Sequence, residues 1–221
     1  MIELNNVSKK YGSSRNAEYV LKNVTLKFED GEFVCITGKS GCGKTTLLNL
    51  ISGMIQPTTG EIIYDGHLKS SDRKRVLQYR GERIGMILQD HSLLNDRNVY
   101  SNVELPLLIR KEKPEERKKK VLEWLGRVDM ADKMRAYPDQ LSGGQQQRVA
   151  IARAMVGGAD IVLADEPTGS LDEENAYNVV QHLRRLAKDG KTVIMVTHDL
   201  DLTDICDRHI LMKNGMIVSD K

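Results

Sequence analysis

The sequence predicts an α/β fold built on a mostly parallel sheet. Three observations carry that expectation: compact apolar runs rich in β-branched residues, a glycine-rich turn that leads from one run into a helix-like segment, and an amphipathic stretch that joins two further runs. Unbroken apolar runs suit central parallel strands, which are buried on both faces.

Taken in order, residues 1–30 and 60–66 read as short antiparallel-type strands with turn residues between them. Phe33-Val34-Cys35-Ile36-Thr37 is apolar and β-branched, and Gly38 follows it. Thr45 to Ser52 opens as a helix with Leu47, Leu48, Leu50 and Ile51 at its apolar positions. Residues 98–157 lack strand signals and read as helical, so a helical subdomain over about 90–157 is expected as an insertion in the core. Within it, Lys111 to Lys120 reads as a solvated helix face opening near Pro114, with Glu115 and Glu116 early and Lys118 to Lys120 later. Ile161-Val162-Leu163-Ala164 and Val193-Ile194-Met195-Val196 are two more buried strands. Glu173 to Lys188 reads as the crossover helix between them, with Val179, Val180, Leu183 and Leu186 as its apolar stripe.

The 221 residues fit one large or two-lobed domain, and no glycine- or proline-rich linker divides them, so residues 1–221 read as a single domain. With 33 basic and 31 acidic residues, the net charge is +2, which gives no global reason to expect nucleic-acid binding. No apolar run approaches the ~18 residues of a membrane span. MIELNNVSKK carries no signal-peptide hydrophobic segment, so a cytosolic chain is expected. Cys35, Cys42 and Cys206 lack paired or metal-ligand spacing and read as free thiols. Cys42, beside Lys44 at a helix N-terminus, is expected to be a reactive one.

Gly38-Lys39-Ser40-Gly41-Cys42-Gly43-Lys44-Thr45 fits G-x-x-x-x-G-K-[ST], with a strand before it and a helix, opening through Thr46, after it. Such glycines let consecutive backbone N–H groups face one anion, and the helix N-terminus adds its positive end. Lys44 is then expected to reach the β- and γ-phosphates of a nucleotide, and the Thr45 hydroxyl to ligate Mg²⁺. Ile161 to Glu166 places Asp165 at the carboxyl end of a buried strand, where nucleotides bind in such sheets. Asp165 can bind Mg²⁺, and Glu166 is placed to polarise the attacking water.

Leu141-Ser142-Gly143-Gly144-Gln145-Gln146-Gln147-Arg148 has the make-up of a second anion site ahead of a helix that starts near Gln145. Ser142, the glycine backbone and a helix N-terminus can together grip a γ-phosphate. Two phosphate-gripping elements in one chain point to two copies sharing each nucleotide.

LSGGQQQR (Leu141 to Arg148) is the signature string of ATP-binding cassette (ABC) ATPases, and the chain resembles that family along essentially its whole length. The resemblance implies a P-loop NTPase (RecA-like) core with a mostly parallel sheet, a small antiparallel β subdomain and a helical subdomain. It implies that residues 38–46 hold ATP and that Tyr11, 27 residues before Gly38, stacks on adenine. It makes Gln89 the link between Mg²⁺, water and a membrane partner, Ser170-Leu171-Asp172 the segment that speaks across the dimer, and Leu141 to Gln145 the grip on the other subunit's ATP. His198, 32 residues after Glu166, becomes the residue that contacts the γ-phosphate. The implied activity is hydrolysis of ATP to ADP and phosphate by an ATP-sandwich homodimer. A separate membrane permease would hold that dimer at the cytoplasmic face.

Within the family, MIELNNVSKKYG, NVELPLLI (Asn102 to Ile109) and ADEPTGSLD (Ala164 to Asp172) resemble the MacB and LolD group, whose partners export macrolides or peptides or release lipoproteins. Asn95-Asp96-Arg97-Asn98-Val99-Tyr100 departs toward the cell-division ATPase FtsE, the alternative reading. A soluble, non-transport ABC ATPase is a further alternative. Lys44 and Asp165 lie 121 residues apart with no coiled-coil insert, which disfavours a chromosome-structural relative. A regulatory module without turnover is disfavoured by the presence of both Glu166 and His198.

Overall fold

The computed structural model describes residues 1–12 and 18–221. Two sheets and a group of helices divide the chain. The larger sheet holds six strands: β3 (Phe33–Thr37), β6 (Ile84–Ile87), β7 (Ile161–Asp165), β8 (Thr192–Thr197), β9 (Arg208–Lys213) and β10 (Met216–Asp220). Their order is β10-β9-β3-β8-β7-β6. All neighbours run parallel except β10, which returns antiparallel along β9. The smaller sheet is antiparallel, in the order β2-β1-β4-β5, from β1 (Ile2–Tyr11), β2 (Glu18–Phe28), β4 (Thr59–Tyr64) and β5 (Leu68–Lys69).

Side chains alternate across the larger sheet, so one strand feeds two cores. Phe33 and Cys35 of β3, Val162 and Ala164 of β7, and Val193 and Met195 of β8 join the core under the helices. Val34, Ile36, Leu163, Ile194 and Val196 face the other way, against Leu47 to Ile51 and the antiparallel sheet. Every residue of β3 and β8 is buried, which explains why neither shows a polar alternation.

The helices are α1 (Lys44–Ile51), α2 (Arg73–Arg83), α3 (Val99–Ile109), α4 (Pro114–Arg127), α5 (Gly143–Met155) and α6 (Glu173–Lys188). α4 opens with Pro114 in its first turn beside Glu115 and Glu116, and Arg127 closes it over the Trp124 ring, 4.9 Å from its centroid. Asp172 caps α6 by accepting from the Asn175 N–H at 2.9 Å. Among the described residues, no helix is long and apolar enough to cross a membrane.

Two sequence expectations are corrected. β1 and β2 are long strands of 10 and 11 residues, not short ones. Register shifts between Leu4 and Lys10 break their period, and Asn6 and Asn23 take left-handed φ of 50° and 48° there. The helix expected near Gln145 begins at Gly143. Ser142 Oγ accepts from the Gln145 N–H (3.3 Å) while Gln145 Oε1 accepts from the Ser142 N–H (3.0 Å). This reciprocal cap draws both glycines into the first turn.

Candidate functional site

Four neighbouring strands of the larger sheet end side by side, and each carboxyl end delivers one group. Gly38 follows β3, His198 follows β8, Asp165 ends β7, and Gln89 stands two residues beyond β6. The strand order β3-β8-β7-β6 therefore sets the phosphate loop, the histidine, the Asp165–Glu166 pair and the glutamine in a row. They open on a cleft of about 700 Å³ lined by Val20, Ser40, Gly41, Gly43, Lys44, Thr45, Thr46, Gln89, Glu166 and His198.

The loop between β3 and α1 needs its glycines. Gly43 has φ 107°, and a Cβ on it would meet the Val20 carbonyl oxygen at 2.9 Å and Leu21 Cδ2 at 2.8 Å. A Cβ on Gly38 would strike the Met212 carbonyl oxygen. α1 has no side-chain cap, so no side chain competes for the first-turn N–H groups at its end. Lys39, Ser40 and Gly41 are exposed at the rim. Cys42 is only 7% exposed and belongs to the core beneath the antiparallel sheet, which corrects the expectation of a reactive thiol at the mouth.

Lys44 is also buried, 6% exposed, with its charged end turned into the cleft. Nζ donates to the Gly38 carbonyl at 2.8 Å and lies 3.4 Å from Glu166 Oε1. Glu166 Oε2 lies 2.8 Å from His198 Nδ1. Glu166 itself has φ 47°, left-handed for a residue with a Cβ. Such strain persists only where the surroundings impose it. Here the Glu166 N–H donates to the Val196 carbonyl at 3.0 Å, and the carboxylate is held by Lys44 and His198.

Thr45 Oγ1 donates to Asp165 Oδ1 at 3.1 Å. Burial pushes the Asp165 carboxyl above its ordinary value and the neighbouring Glu166 adds to that, while the Thr45 bond and Lys44 oppose it. A hydroxyl and a carboxylate are the hard oxygen donors that suit Mg²⁺, which is held by a few protein oxygens together with phosphates. The Gln89 side chain lies against Gly169, where a Cβ would come within 2.9 Å of Gln89 Nε2.

Not every expected residue lines this cleft. Tyr11 ends β1 paired with Glu18 and is 45% exposed, with Lys9 Nζ 5.2 Å from its ring centroid. Leu141 to Gln145 lie apart from the cleft, at the N-terminus of α5. Their neighbours within the chain are the other expected segment, Ser170 to Asp172, and the first turn of α6. A Cβ on Gly143 would stand 3.0 Å from Leu171 Cδ2, and one on Gly144 would strike the Asn175 carboxamide, reaching its Cγ at 2.8 Å. Asn175 is fixed by Asp172, to whose Oδ2 its Nδ2 donates at 2.7 Å. The bond from the Asn175 N–H, joined by that side-chain bond, holds the Asp172 carboxyl below its ordinary value.

Sequence reasoning missed three participants. Val20 lines the cleft from β2, and an apolar strand residue carries no signal for that. Asn175 could have been noticed as the third residue after a capping aspartate. Gly169 stands in the Thr168-to-Asp172 string, where a glycine reads only as a turn.

Comparison with known proteins gives the same outline. The family described as ABC transporter matches residues 21–169. An uncharacterised ABC transporter ATP-binding protein of Methanocaldococcus jannaschii, MJ1508, is 43% identical over 220 residues, covering 99% of this chain and 98% of its own length. The macrolide export ATP-binding/permease protein MacB of a Shewanella species is 39% identical over all of this chain, which spans only 34% of that protein. The dimeric, post-hydrolysis structure of the ATP-binding cassette MJ0796 bound to ADP and Pi superposes with a TM-score of 0.90 at 40% identity. That match covers 100% of this chain and 98% of the other.

Proposed function

The chain belongs to the ABC transporter ATP-binding family, a family of ATPases, and from that premise we propose that it powers a separate membrane permease by dimerising on ATP and hydrolysing it. Residues 1–221 act as one cassette, with residues of about 90–157 as its helical lobe. The observation that carries the reading is the convergence of Lys44, Glu166 and His198 beneath a loop of backbone N–H groups, in a cleft open to solvent.

Within the chain, Lys44 donates to the Gly38 carbonyl and pairs with the Glu166 carboxylate. A nucleotide's β- and γ-phosphates offer it stronger, charge-assisted partners. Tyr11 supplies a face for adenine. Glu166 takes the proton of the attacking water, leaving ADP and phosphate, and its link to His198 holds the carboxylate in place. His198 turns to the γ-phosphate when nucleotide fills the cleft. Thr45, Asp165 and Gln89 are the groups that would hold Mg²⁺, which when bound screens phosphate charge.

The signature residues Leu141 to Gln145 stand outside their own chain's cleft, and this supports their serving the nucleotide of a second copy. Leu171 packs beside Gly143, and Ser170, Leu171 and Asp172 would meet the same partner. ATP then favours the closed pair because only that state completes each site.

The MacB-type relatives combine an ATP-binding part with a permease in one protein, of which this chain spans about a third. On that likeness, the permease is of the MacB or LolD kind, exporting a drug, peptide or lipoprotein, and the cassette sits at the cytoplasmic face through it. The Asn95-to-Tyr100 string, directly before α3, favours an FtsE-like partner as the second reading. A detergent pull-down with tagged Glu166→Gln protein and Mg-ATP tests both. A membrane protein with few spans and a large extracytoplasmic domain is the expected catch. Recovery of soluble proteins alone would overturn the permease reading in favour of a soluble ABC ATPase.

A further inference from the structure

Where α4 and α6 both pack on α5, the three helices leave a cavity of about 170 Å³. Its lining is mostly apolar. Ile151 of α5, Val128 just past α4 and Leu186 of α6 are all buried, and the half-buried Trp124 ring joins them. A cavity of this size and character has room for one aromatic ring.

One buried polar side chain stands in that lining. His182 of α6 is 8% exposed, and neither of its ring nitrogens has a hydrogen-bond partner among the described residues. A buried polar group left without a partner is costly and uncommon. Burial, with Arg185 and Arg148 adding to it and Asp129 opposing, holds the imidazole below its ordinary pKa. The ring is therefore neutral at neutral pH, with one N–H to give and one lone pair to receive.

Two guanidiniums and one carboxylate make the polar edge of the cavity. Arg127 Nη1 lies 3.5 Å from Asp189 Oδ2, a half-exposed pair that reaches from α4 to the end of α6. Exposed pairs of this kind are weak and readily displaced. Asp189 is thus engaged with Arg127. Arg185, which is exposed, has no acidic partner among the described residues and is the cation left over.

We propose that this cavity is a binding site for a small aromatic carboxylate, whose ring fills the space beside Trp124 and Val128 and whose anionic group meets Arg185 and the His182 N–H. The carboxylate supplies the two things the site lacks, an acceptor for a buried donor and a counter-charge for a free guanidinium. A bare inorganic anion would leave the apolar lining unfilled, and a neutral ring would leave Arg185 unanswered. The site shares no residue with the nucleotide cleft, so it stands whether or not the chain powers a permease.

Trp124 is the one tryptophan of the chain, so its fluorescence reports on the cavity directly. The test is titration of the whole chain with benzoate against acetate at constant ionic strength. A saturable fluorescence change is expected at about millimolar benzoate, the affinity open to so small a ligand. Tm is expected to rise by about 3–6 °C at ten times the Kd. Benzamide, the neutral analogue, is expected to bind about 5- to 15-fold more weakly, the margin of a charge-assisted over a neutral hydrogen bond. Arg185→Met is expected to erase that difference. Val128→Phe, which places a ring of the chain's own in the space, is expected to abolish the saturable change. Arg185 is exposed, so its variant keeps the test open if Val128→Phe does not fold. A response to benzoate that never saturates, or one that persists in folded Val128→Phe, overturns the site. Equal affinity of the unaltered chain for benzamide and benzoate overturns the carboxylate as its ligand.

Discussion

Glu166 Oε2 is bonded twice by His198, accepting from its backbone N–H at 3.2 Å and pairing with its ring Nδ1 at 2.8 Å. The carboxylate is thus aimed by a residue 32 positions away, just beyond the end of the neighbouring strand. Glu166→Gln keeps the shape and can still bond His198 but cannot take a proton. We expect kcat to fall by about 10²- to 10⁴-fold, the usual share of a general base, with ATP still bound. His198→Ala should cost less, because the backbone bond to Glu166 persists. Phosphate release over an ATP titration decides both, and a Glu166→Gln rate equal to wild type would remove Glu166 from that role.

Asp165 is a charge kept in place against its solvation. Its carboxyl stands above its ordinary value chiefly through burial, so the folded chain holds that proton more tightly than the unfolded one. At neutral pH the ionised group therefore lowers stability, and the penalty fades as pH falls through the raised folded value to below the unfolded one. Asp165→Asn should raise Tm at neutral pH, by no more than about 2–4 °C, the scale of one kcal/mol in a chain this long. It should also lose most Mg²⁺-dependent hydrolysis. Melting curves of the two proteins should converge in acid, and a lower Tm for the variant at neutral pH would contradict this.

Tyr11 is nearly half exposed at a strand end, a position with little structural reason for an aromatic ring. If it stacks on adenine, Tyr11→Ala should weaken ATP binding by about 5- to 150-fold, the range that one base–aromatic stack supplies. Tyr11→Phe should change little. Equilibrium binding of ATP to the Glu166→Gln protein reads this without turnover, and equal affinity of the alanine variant would leave Tyr11 a surface residue.

Gly144 is small because Asn175 stands against it. Gly144→Ala should destabilise the chain by about 1–3 kcal/mol, the cost of overpacking, although alanine favours a helix. Adding Asn175→Ala should recover much of that loss, since it removes the obstacle. Thermal unfolding of the single and double variants measures it, and additive effects would show that the two residues do not meet.

How much of the fold and site is readable in the sequence depends on what each segment packs against. α6 is legible to its limits because one face is buried and the other is not, and because Asp172 announces its start. The phosphate loop is legible because glycine, lysine and threonine at that spacing have few other uses. β6 is not: four residues, with Ile84 and Met86 only half-buried, leave no pattern to read. The bulges in β1 hide its length by breaking its period. The bond from Arg153 to the His91 backbone carbonyl is invisible for a different reason. A histidine and an arginine 62 residues apart carry no mark of being partners until the helices bring them together. Cys42 misleads because its place beside Lys44 in sequence says nothing about which side of the loop its sulfur takes.

The cap on α5 separates what the fold asks of residue 142 from what a phosphate asks. For starting a helix, asparagine and aspartate serve as well as serine. Ser142 gives a lone pair to the Gln145 N–H and keeps its own hydroxyl proton free to point outward. Aspartate would start the helix equally well yet present an anion to an anion. Ser142→Asp should thus leave Tm where it is and abolish hydrolysis: a melting curve would pass the substitution as silent while a phosphate assay would register a dead enzyme.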